Sequence, residues 1–355
     1  MDAQSRKPAE PPPPAKPVAS STRPSFGLNQ QRFCRDVATA VKRFRRQHPG
    51  WDFNLTPEFY KSIEEFPPHE RFSVKCSPLD LGESTPTAGG ENGTDDAGFL
   101  LASPIPSSTM EAWLQRSEPW LSRAFAEQTS LCNADMERRY WTAHILAGHM
   151  GRWLEAFEFD AWYHSAIPLP KPPKTNGVMD DWTNWMHTTK FHQFQIASVK
   201  SIQDGTHFET QWLLDYNETG DPCQAPSRPH SVAFLALNLP IREDCLLAGE
   251  LITIFHLCLH RYFSGAKGRI VPVTIISCSG RDVRVLHAYV DDADRCVHVR
   301  KTQIFNYDKG VDLKDETWKR MLCWVLAEPD MSSVRELEKC MENPRTVAGC
   351  EMSVA

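Results

Sequence analysis

Residues 231–239 have the sequence SVAFLALNL, and this stretch decides the fold. Apolar residues dominate it, without the alternation of polar and apolar positions that marks a half-exposed strand. Such a run is typical of a central strand that is covered on both faces. We therefore predict a sheet with this strand in its interior.

The residues after this run predict one helix and three further strands. The helix is expected over 243–263, where it ends at a Ser-Gly pair. The strands are expected over 270–277, 283–290 and 296–305, separated by short turns, so they form an antiparallel meander. Gly280, in the first of these turns, suits a position with positive φ.

Before the apolar run, the sequence predicts a hairpin around Asp204-Gly205, a strong turn signal. The strand on its near side is expected around Val199. On its far side, polar and apolar residues alternate over 206–216, which is typical of a half-buried strand.

The first half of the chain is predicted to be mainly helical. Phe33, Val37 and Phe44 fall on one face of a helix, a short helix follows, and a helical region extends over 108–160. The predicted class is therefore α+β. We expect an N-terminal helical layer packed on a mostly antiparallel sheet, with the long helix 243–263 against that sheet.

The domain organisation follows from shifts in composition along the chain. Residues 1–25 are rich in proline and are predicted to be a disordered tail. Residues 77–107 are rich in Ser, Thr, Gly and Asp and are predicted to be a disordered insertion. Residues 26–342 are expected to form a single α+β domain around this insertion, followed by a flexible C-terminal tail over 343–355.

The overall composition excludes several classes of protein. Hydrophobic residues make up 41% and charged residues 24% of the chain, close to globular averages. The net charge of -6 gives no general attraction to nucleic acid or to an anionic membrane. The first 25 residues lack the apolar core of a secretory signal, and no apolar run is long enough to span a bilayer.

The cysteines indicate a reducing compartment. The chain has 11 cysteines, none closer to another than ten residues, so the closely spaced pairs of a zinc site are absent from the sequence. Such thiols are typical small core residues of a cytoplasmic or nuclear protein. No cofactor is predicted.

His256 and His260 lie four residues apart on the predicted long helix, a spacing that lets two imidazoles bind one metal ion. The zinc-protease pattern also needs a glutamate next to the first histidine, and this sequence has leucine there. Because the helix is apolar nearly all round, the competing interpretation is a pair of histidines with partners in or near the core. A metal remains the alternative.

Glu209 and Asp215 lie on the polar side of the predicted strand 206–216. A hairpin, a buried strand, a helix and another strand in this order are similar to metal-dependent nuclease folds, in which carboxylates hold Mg²⁺. Such sites add a lysine two residues after a carboxylate, and here that position is Gln211. The competing interpretation is an exposed acidic sheet face beside a turn.

The run Lys42-Arg43-Phe44-Arg45-Arg46 allows two interpretations. It is either a nuclear address or phosphate-binding patch, or the solvated face of an amphipathic helix. Phe44 belongs to the apolar stripe of the first helix, which favours the second interpretation. Nucleic-acid binding through this run stays the alternative.

A set of residues over about 230–328 carries a resemblance to a known family. These residues are Val271, Pro272, Val273, Ser277, Gly280, Arg284, Ala288, Tyr289, Val299, Arg300, Phe305 and Trp324. In this pattern the chain resembles a family of uncharacterised proteins from filamentous fungi. The resemblance implies a fungal cytoplasmic or nuclear protein, and it assigns no catalytic residue.

Two functions from different classes are compatible with the sequence. The first, which we favour, is a non-enzymatic intracellular binding or scaffold protein, because no complete catalytic motif is found. The second is an enzyme of unrecognised type, with Glu209 and Asp215 as metal ligands in a degenerate nuclease-like fold. The enzyme requires these carboxylates to converge in a cleft, whereas a scaffold requires an exposed apolar surface.

Overall fold

In the part of the chain that the structure describes, the fold consists of thirteen strands and six α-helices. The computed structural model describes residues 26–79, 101–112, 136–155, 185–187, 198–200, 207–216, 218, 227–263, 270–307 and 315–342. The helices are α1 (Phe26–Gln47), α2 (Pro57–Glu64), α3 (Met136–Glu155), α4 (Ala248–Phe263), α5 (Glu316–Val325) and α6 (Met331–Glu342). The strands are β1 (Asn54–Leu55), β2 (Ser73–Pro78), β3 (Ala102–Ser103), β4 (Trp185–His187), β5 (Ser198–Lys200), β6 (His207–Tyr216), β7 (Ser231–Leu237), β8 (Leu246–Leu247), β9 (Val273–Ser279), β10 (Asp282–Asp291), β11 (Cys296–Lys301), β12 (Phe305–Asn306) and β13 (Glu328–Pro329).

The main sheet has nine strands in the order β2-β11-β10-β9-β7-β6-β4, with β12 beside β10 and β5 beside β6. Its pairings are antiparallel except for β7 with β9 and β11 with β2. The predicted α+β class with a mostly antiparallel sheet is therefore confirmed.

Strand β7 occupies the predicted central position. All seven of its residues are buried. Val232, Phe234 and Ala236 belong to the apolar cluster on one face of the sheet, and the alternate residues Ala233 and Leu235 belong to the cluster on the other face. The absence of polar alternation in SVAFLALNL thus corresponds to a strand covered on both sides.

The predicted meander is confirmed for β9, β10 and β11, which pair antiparallel in sequence order. Gly280, in the first turn, has φ of 60°. The third predicted strand, 296–305, is divided in the structure, since β12 returns to pair with the beginning of β10. The helix expected from residue 243 begins at Ala248, because Leu246 and Leu247 form β8 against β1.

Both ends of the predicted insertion 77–107 belong to the folded structure, which corrects its boundaries. Ser77 and Pro78 continue β2, which runs parallel to β11, and the first residues after the gap form β3 against β13. Leu79 and Leu101 are buried, and such apolar residues offset the entropy of ordering the chain around them. Residues 80–100 and both predicted tails lie outside the described residues.

The helices cover the two faces of the sheet separately. On one face α4 packs against β7, β9 and β10, and α1 packs on α4 rather than on the sheet. On the opposite face α3 packs against β6, β7 and β9, and α5 contacts β10. The N-terminal helices therefore form no single layer, and each contributes to a core completed by the second half of the chain. No helix among the described residues has the length and hydropathy needed to cross a membrane.

Candidate functional site

Asp215 lies near the end of β6 and is held by groups from β7 and α4. Arg261 Nη1 lies 3.2 Å from Asp215 Oδ1, and His260 Nε2 lies 3.6 Å from Oδ2. Ser231 Oγ donates a hydrogen bond to Oδ1 at 3.2 Å. The Nε of Arg261 also donates to the carbonyl of Pro229 at 3.1 Å. All of these charged or polar side chains are buried, so the cluster ties the end of α4 to the sheet.

The charge state of this cluster follows from burial and pairing. Burial raises the pKa of Asp215, but the Arg261 charge and the hydrogen bonds of His260 and Ser231 outweigh it and hold the pKa below its ordinary value. Burial lowers the pKa of Arg261, and Asp215 opposes that effect. An arginine guanidinium stays protonated at neutral pH. Asp215 is thus an ionised member of a buried ion pair.

Glu209 lies on the other face of the sheet, against α3. Its Oε2 accepts a hydrogen bond from the hydroxyl of Tyr140 at 2.5 Å. The Tyr140 ring stacks on His207 with centroids 3.8 Å apart. Burial raises the pKa of the Tyr140 hydroxyl, and the Glu209 carboxylate raises it further, so the phenol stays protonated at neutral pH.

A β-bulge in β6 explains why the two carboxylates are separated. Residues 209 and 215 differ by an even number, so a regular strand would place both on one face. The pairing of β6 with β7 shifts between Thr210 and Trp212, and the extra residue reverses the alternation. Consequently Phe208 and Leu213, an odd number apart, lie in the same apolar cluster. The convergence of carboxylates that the nuclease-like hypothesis requires is not found.

The two predicted metal-ligand histidines have different surroundings. His260 is 4% exposed and faces Asp215, whereas His256 is half-buried and faces α1. Burial lowers the pKa of His256, so its imidazole is neutral at pH 7. Within the described ranges, no group of three or more His, Cys, Asp or Glu side chains is arranged to hold a metal ion.

A groove of about 330 Å³ lies between α1 and α4. Its lining is mainly apolar and consists of Gln31, Cys34, Arg35, Val37, Ala38, Ile252, Phe255, His256 and Leu259. Phe255 forms part of the floor and packs edge-on against Phe33 of α1, with ring centroids 5.5 Å apart. We call this feature the α1/α4 groove.

The α1/α4 groove exists because α4 is apolar on nearly every side, and α1 and the sheet do not cover all of it. Ile252, His256 and Leu259 follow one line along α4, at i, i+4 and i+7, and all three are only half-buried. A helix that is apolar all round is normally enclosed on every side. The sequence carried this signal in the apolar run of the 243–263 helix, but it did not indicate which side α1 leaves open.

The N-terminus of α4 is fixed by a second buried ion pair, Glu250 with Arg284 of β10, both fully buried. Arg284 Nε donates to Glu250 Oε1 at 2.9 Å, and the other oxygen accepts from the backbone N–H of Leu247 at 2.8 Å. Arg284 also donates to the carbonyls of Arg242 and Cys245. Burial lowers the pKa of Arg284, but the Glu250 charge outweighs it and raises the pKa. Both ends of α4 are therefore anchored to the sheet.

The basic run of α1 is divided between two sides of the helix. Phe44 is buried in the core, as the amphipathic interpretation requires. Arg43 donates to Glu70 at 2.6 Å and Arg45 lies over the ring of Phe53. Lys42 and Arg46 are exposed.

Comparisons with known proteins add no relative to this picture. A scan of protein-family models, a search of curated proteins and a search of solved structures each gave no match. The resemblance of residues 230–328 to fungal proteins therefore stays a prediction.

Proposed function

We propose that the protein is a non-enzymatic intracellular binding or scaffold protein of a fungus, and that the α1/α4 groove is its docking site. The observation that carries the proposal is the half-buried line of Ile252, His256 and Leu259 along a helix that is otherwise enclosed. Apolar positions at i, i+4 and i+7 in a groove are the feature by which many proteins bind a helical peptide.

The shape of the groove supports peptide binding. Ala38 faces this line from α1 and is exposed, and its small side chain keeps the groove open. Cys34, Val37 and Phe255 close the floor with buried apolar surface. A side chain from a partner would exchange water contact for apolar contact there, at about 25 cal/mol per Å² of buried apolar area.

The rigidity of α4 also supports the proposal. The Glu250–Arg284 pair anchors its first turn, and the Asp215–Arg261 pair anchors its last. A wall that is already in place reduces the ordering that binding would require, and preorganisation of this kind increases affinity. On this proposal the buried charges serve to hold the binding surface rather than to carry out chemistry.

A peptide-display selection tests the proposal. Random peptides of about 16 residues, which reach about 24 Å as a helix, are selected on the full chain and on an Ala38→Trp variant. The indole fills the groove from an exposed position, so folding should be unchanged, as circular dichroism and thermal unfolding would verify. Gln47→Trp is the matched control, because position 47 is exposed on the same helix but lies about 13 Å further along it.

We expect peptides that bind the unmodified chain and Gln47→Trp but not Ala38→Trp. Selection that yields no peptide, or peptides that bind Ala38→Trp equally well, would contradict the docking site.

A further inference from the structure

One rim of the α1/α4 groove is basic. Arg35 lines the groove and is exposed. Lys42 follows the lining residue Ala38 by four positions and Arg46 follows Lys42 by four, so both continue the same side of α1. Both of these side chains are also exposed. The apolar floor is thus bordered by a stripe of positive charge.

Acidic side chains do not neutralise this stripe from within the helix. Asp36 is the one acidic residue of α1, against six basic residues in the same helix. It is buried and lies 3.5 Å from Arg295, on a different side from the groove. The opposite wall contributes Ile252, Leu259 and the neutral imidazole of His256.

We infer that the partner is an acidic amphipathic peptide segment, with apolar side chains at helical spacing and Asp or Glu on the flanking positions. The inference rests on the proposed function and adds the chemistry of the partner. The apolar side chains would fill the line along α4, and the carboxylates would lie beside Arg35, Lys42 and Arg46. Such complementarity increases the association rate and the specificity of a complex.

A nucleic acid fits this surface less well than an acidic peptide does. Phosphates would contact the basic stripe, but the floor of Cys34, Val37 and Phe255 would face the polar backbone without gaining an apolar contact. Among the described residues that line this groove, none offers an exposed aromatic ring on which a base could stack. The net charge of -6 also opposes a general attraction to nucleic acid.

Two displayed libraries distinguish the charge of the partner. Both have Leu, Ile or Phe at i, i+4 and i+7; the other positions carry Asp, Glu, Ser or Gln in one and Lys, Arg, Ser or Gln in the other. We expect the full chain to enrich only the acidic library. Reversing the stripe with Arg35→Glu, Lys42→Glu and Arg46→Glu should weaken binding of the enriched peptides roughly tenfold or more, and high salt should do the same.

A matched variant controls for net charge. Lys61→Glu, Arg335→Glu and Lys339→Glu change the charge equally at exposed positions of α2 and α6, and binding should be unaffected. Fluorescence anisotropy with a labelled acidic peptide measures each dissociation constant.

The outcomes separate this inference from the proposed function. Some selected peptides could lose binding to Ala38→Trp and yet be basic, or bind equally well after the stripe is reversed. Such peptides would overturn the inference about charge and would still support the docking site. Enrichment of neither library overturns both. A labelled duplex DNA that displaces the peptide and needs the same three basic residues overturns the inference in favour of nucleic acid. A dimer that Ala38→Trp abolishes overturns it in favour of a second copy of the chain.

Discussion

Glu250 carries a charge in a helix that is otherwise apolar on nearly every side. The charge is compatible with full burial because both carboxylate oxygens accept hydrogen bonds, from Arg284 and from a backbone N–H. A buried ion pair contributes little net stability as a pair, but loss of one partner leaves an uncompensated charge in the core. When one partner of an exposed ion pair is removed, water solvates the remaining charge and the loss of stability is small.

Replacing Glu250 with Ala should therefore destabilise the fold by about 3–5 kcal/mol, because the Arg284 guanidinium stays buried without its counter-ion. The free energy of unfolding from urea titration measures this change. Asp244→Ala is the control, since it breaks the solvent-exposed pair with Arg242 and should leave stability nearly unchanged. Equal losses in the two variants would contradict the assigned role of the buried pair.

Two buried histidines predict a loss of stability in acid. Burial lowers the pKa of His230 to about 3 and that of His287 to about 4, so both stay neutral in the folded chain. In the unfolded chain they bind a proton near pH 6.5. Because the unfolded state binds more protons below that pH, each histidine should reduce the free energy of unfolding by roughly 2 kcal/mol between pH 7 and pH 5.

His287→Gln isolates this contribution. His287 Nδ1 shares a hydrogen bond with Thr274 at 3.1 Å, and the glutamine amide can replace it without titrating. Urea unfolding at pH 7 and pH 5 should show a smaller difference between the two pH values in the variant. An unchanged difference would show that His287 does not titrate on unfolding as expected.

At the scale of elements, α4 approaches the sheet unusually closely at its first turn. A Cβ at Gly249 would lie 3.0 Å from Phe208 Cγ and 3.1 Å from Leu237 Cδ2, both in the buried core. Glycine is there for space rather than for backbone freedom. A helical alanine is otherwise favoured over glycine by about 1 kcal/mol.

Gly249→Ala should destabilise the fold by about 1–3 kcal/mol, since overpacking outweighs the gain in helix propensity. Gly148→Ala on α3 is the matched control. Apart from its own helical turn, no atom of the described residues lies within 4 Å of a Cβ at that position, so the propensity gain should stabilise the fold by about 0.5–1 kcal/mol. Thermal unfolding of both variants measures whether the stability of the fold falls in Gly249→Ala and rises in Gly148→Ala. A stabilised Gly249→Ala variant would contradict the close approach.

The helices and strands were largely predictable from the sequence. Which face of the sheet a side chain lies on, and which side of α4 stays open, were not. The continuous apolar run of β7, the meander and the long helix follow from local patterns that the structure confirms. The bulge in β6 adds one residue without any local signal, and it separated Glu209 from Asp215. The side of α4 left open by α1 depends on packing between helices more than 200 residues apart, which periodicity does not encode.

At the scale of the whole molecule, Arg295 joins the N-terminal helices to the meander. It lies in the turn between β10 and β11 with φ of 51°, and its guanidinium donates to the carbonyls of Arg71 at 2.8 Å and His69 at 2.6 Å. The same group lies 3.5 Å from Asp36 and over the ring of Phe33. One side chain thus contacts two segments of the first 71 residues, 33–36 in α1 and 69–71 after α2.

Arg295→Ala should loosen residues 26–79 from the sheet and reduce stability by about 1–3 kcal/mol, because the hydrogen bonds of a charged donor are lost. Hydrogen exchange followed by mass spectrometry should show faster exchange in α1 and α2, with β7 and β9 unchanged. Arg295→Lys keeps the charge but lacks the planar guanidinium. Its exchange rates in α1 and α2 should lie between those of the unmodified chain and those of Arg295→Ala. Faster exchange spread evenly over the chain would indicate global destabilisation instead.

The contact between Asp36 and Arg295 spans 259 residues, and this separation sets the order of events during synthesis. A ribosome adds about 5–20 residues per second, so α1 emerges roughly 13 to 52 s before its partner in the turn. For most of that interval the apolar stripe of α1 has neither the meander nor α4 to cover it, because α4 begins only at Ala248. Exposed apolar surface makes a partly synthesised chain prone to aggregation, so we expect α1 to be a segment that chaperones protect until the C-terminal half arrives.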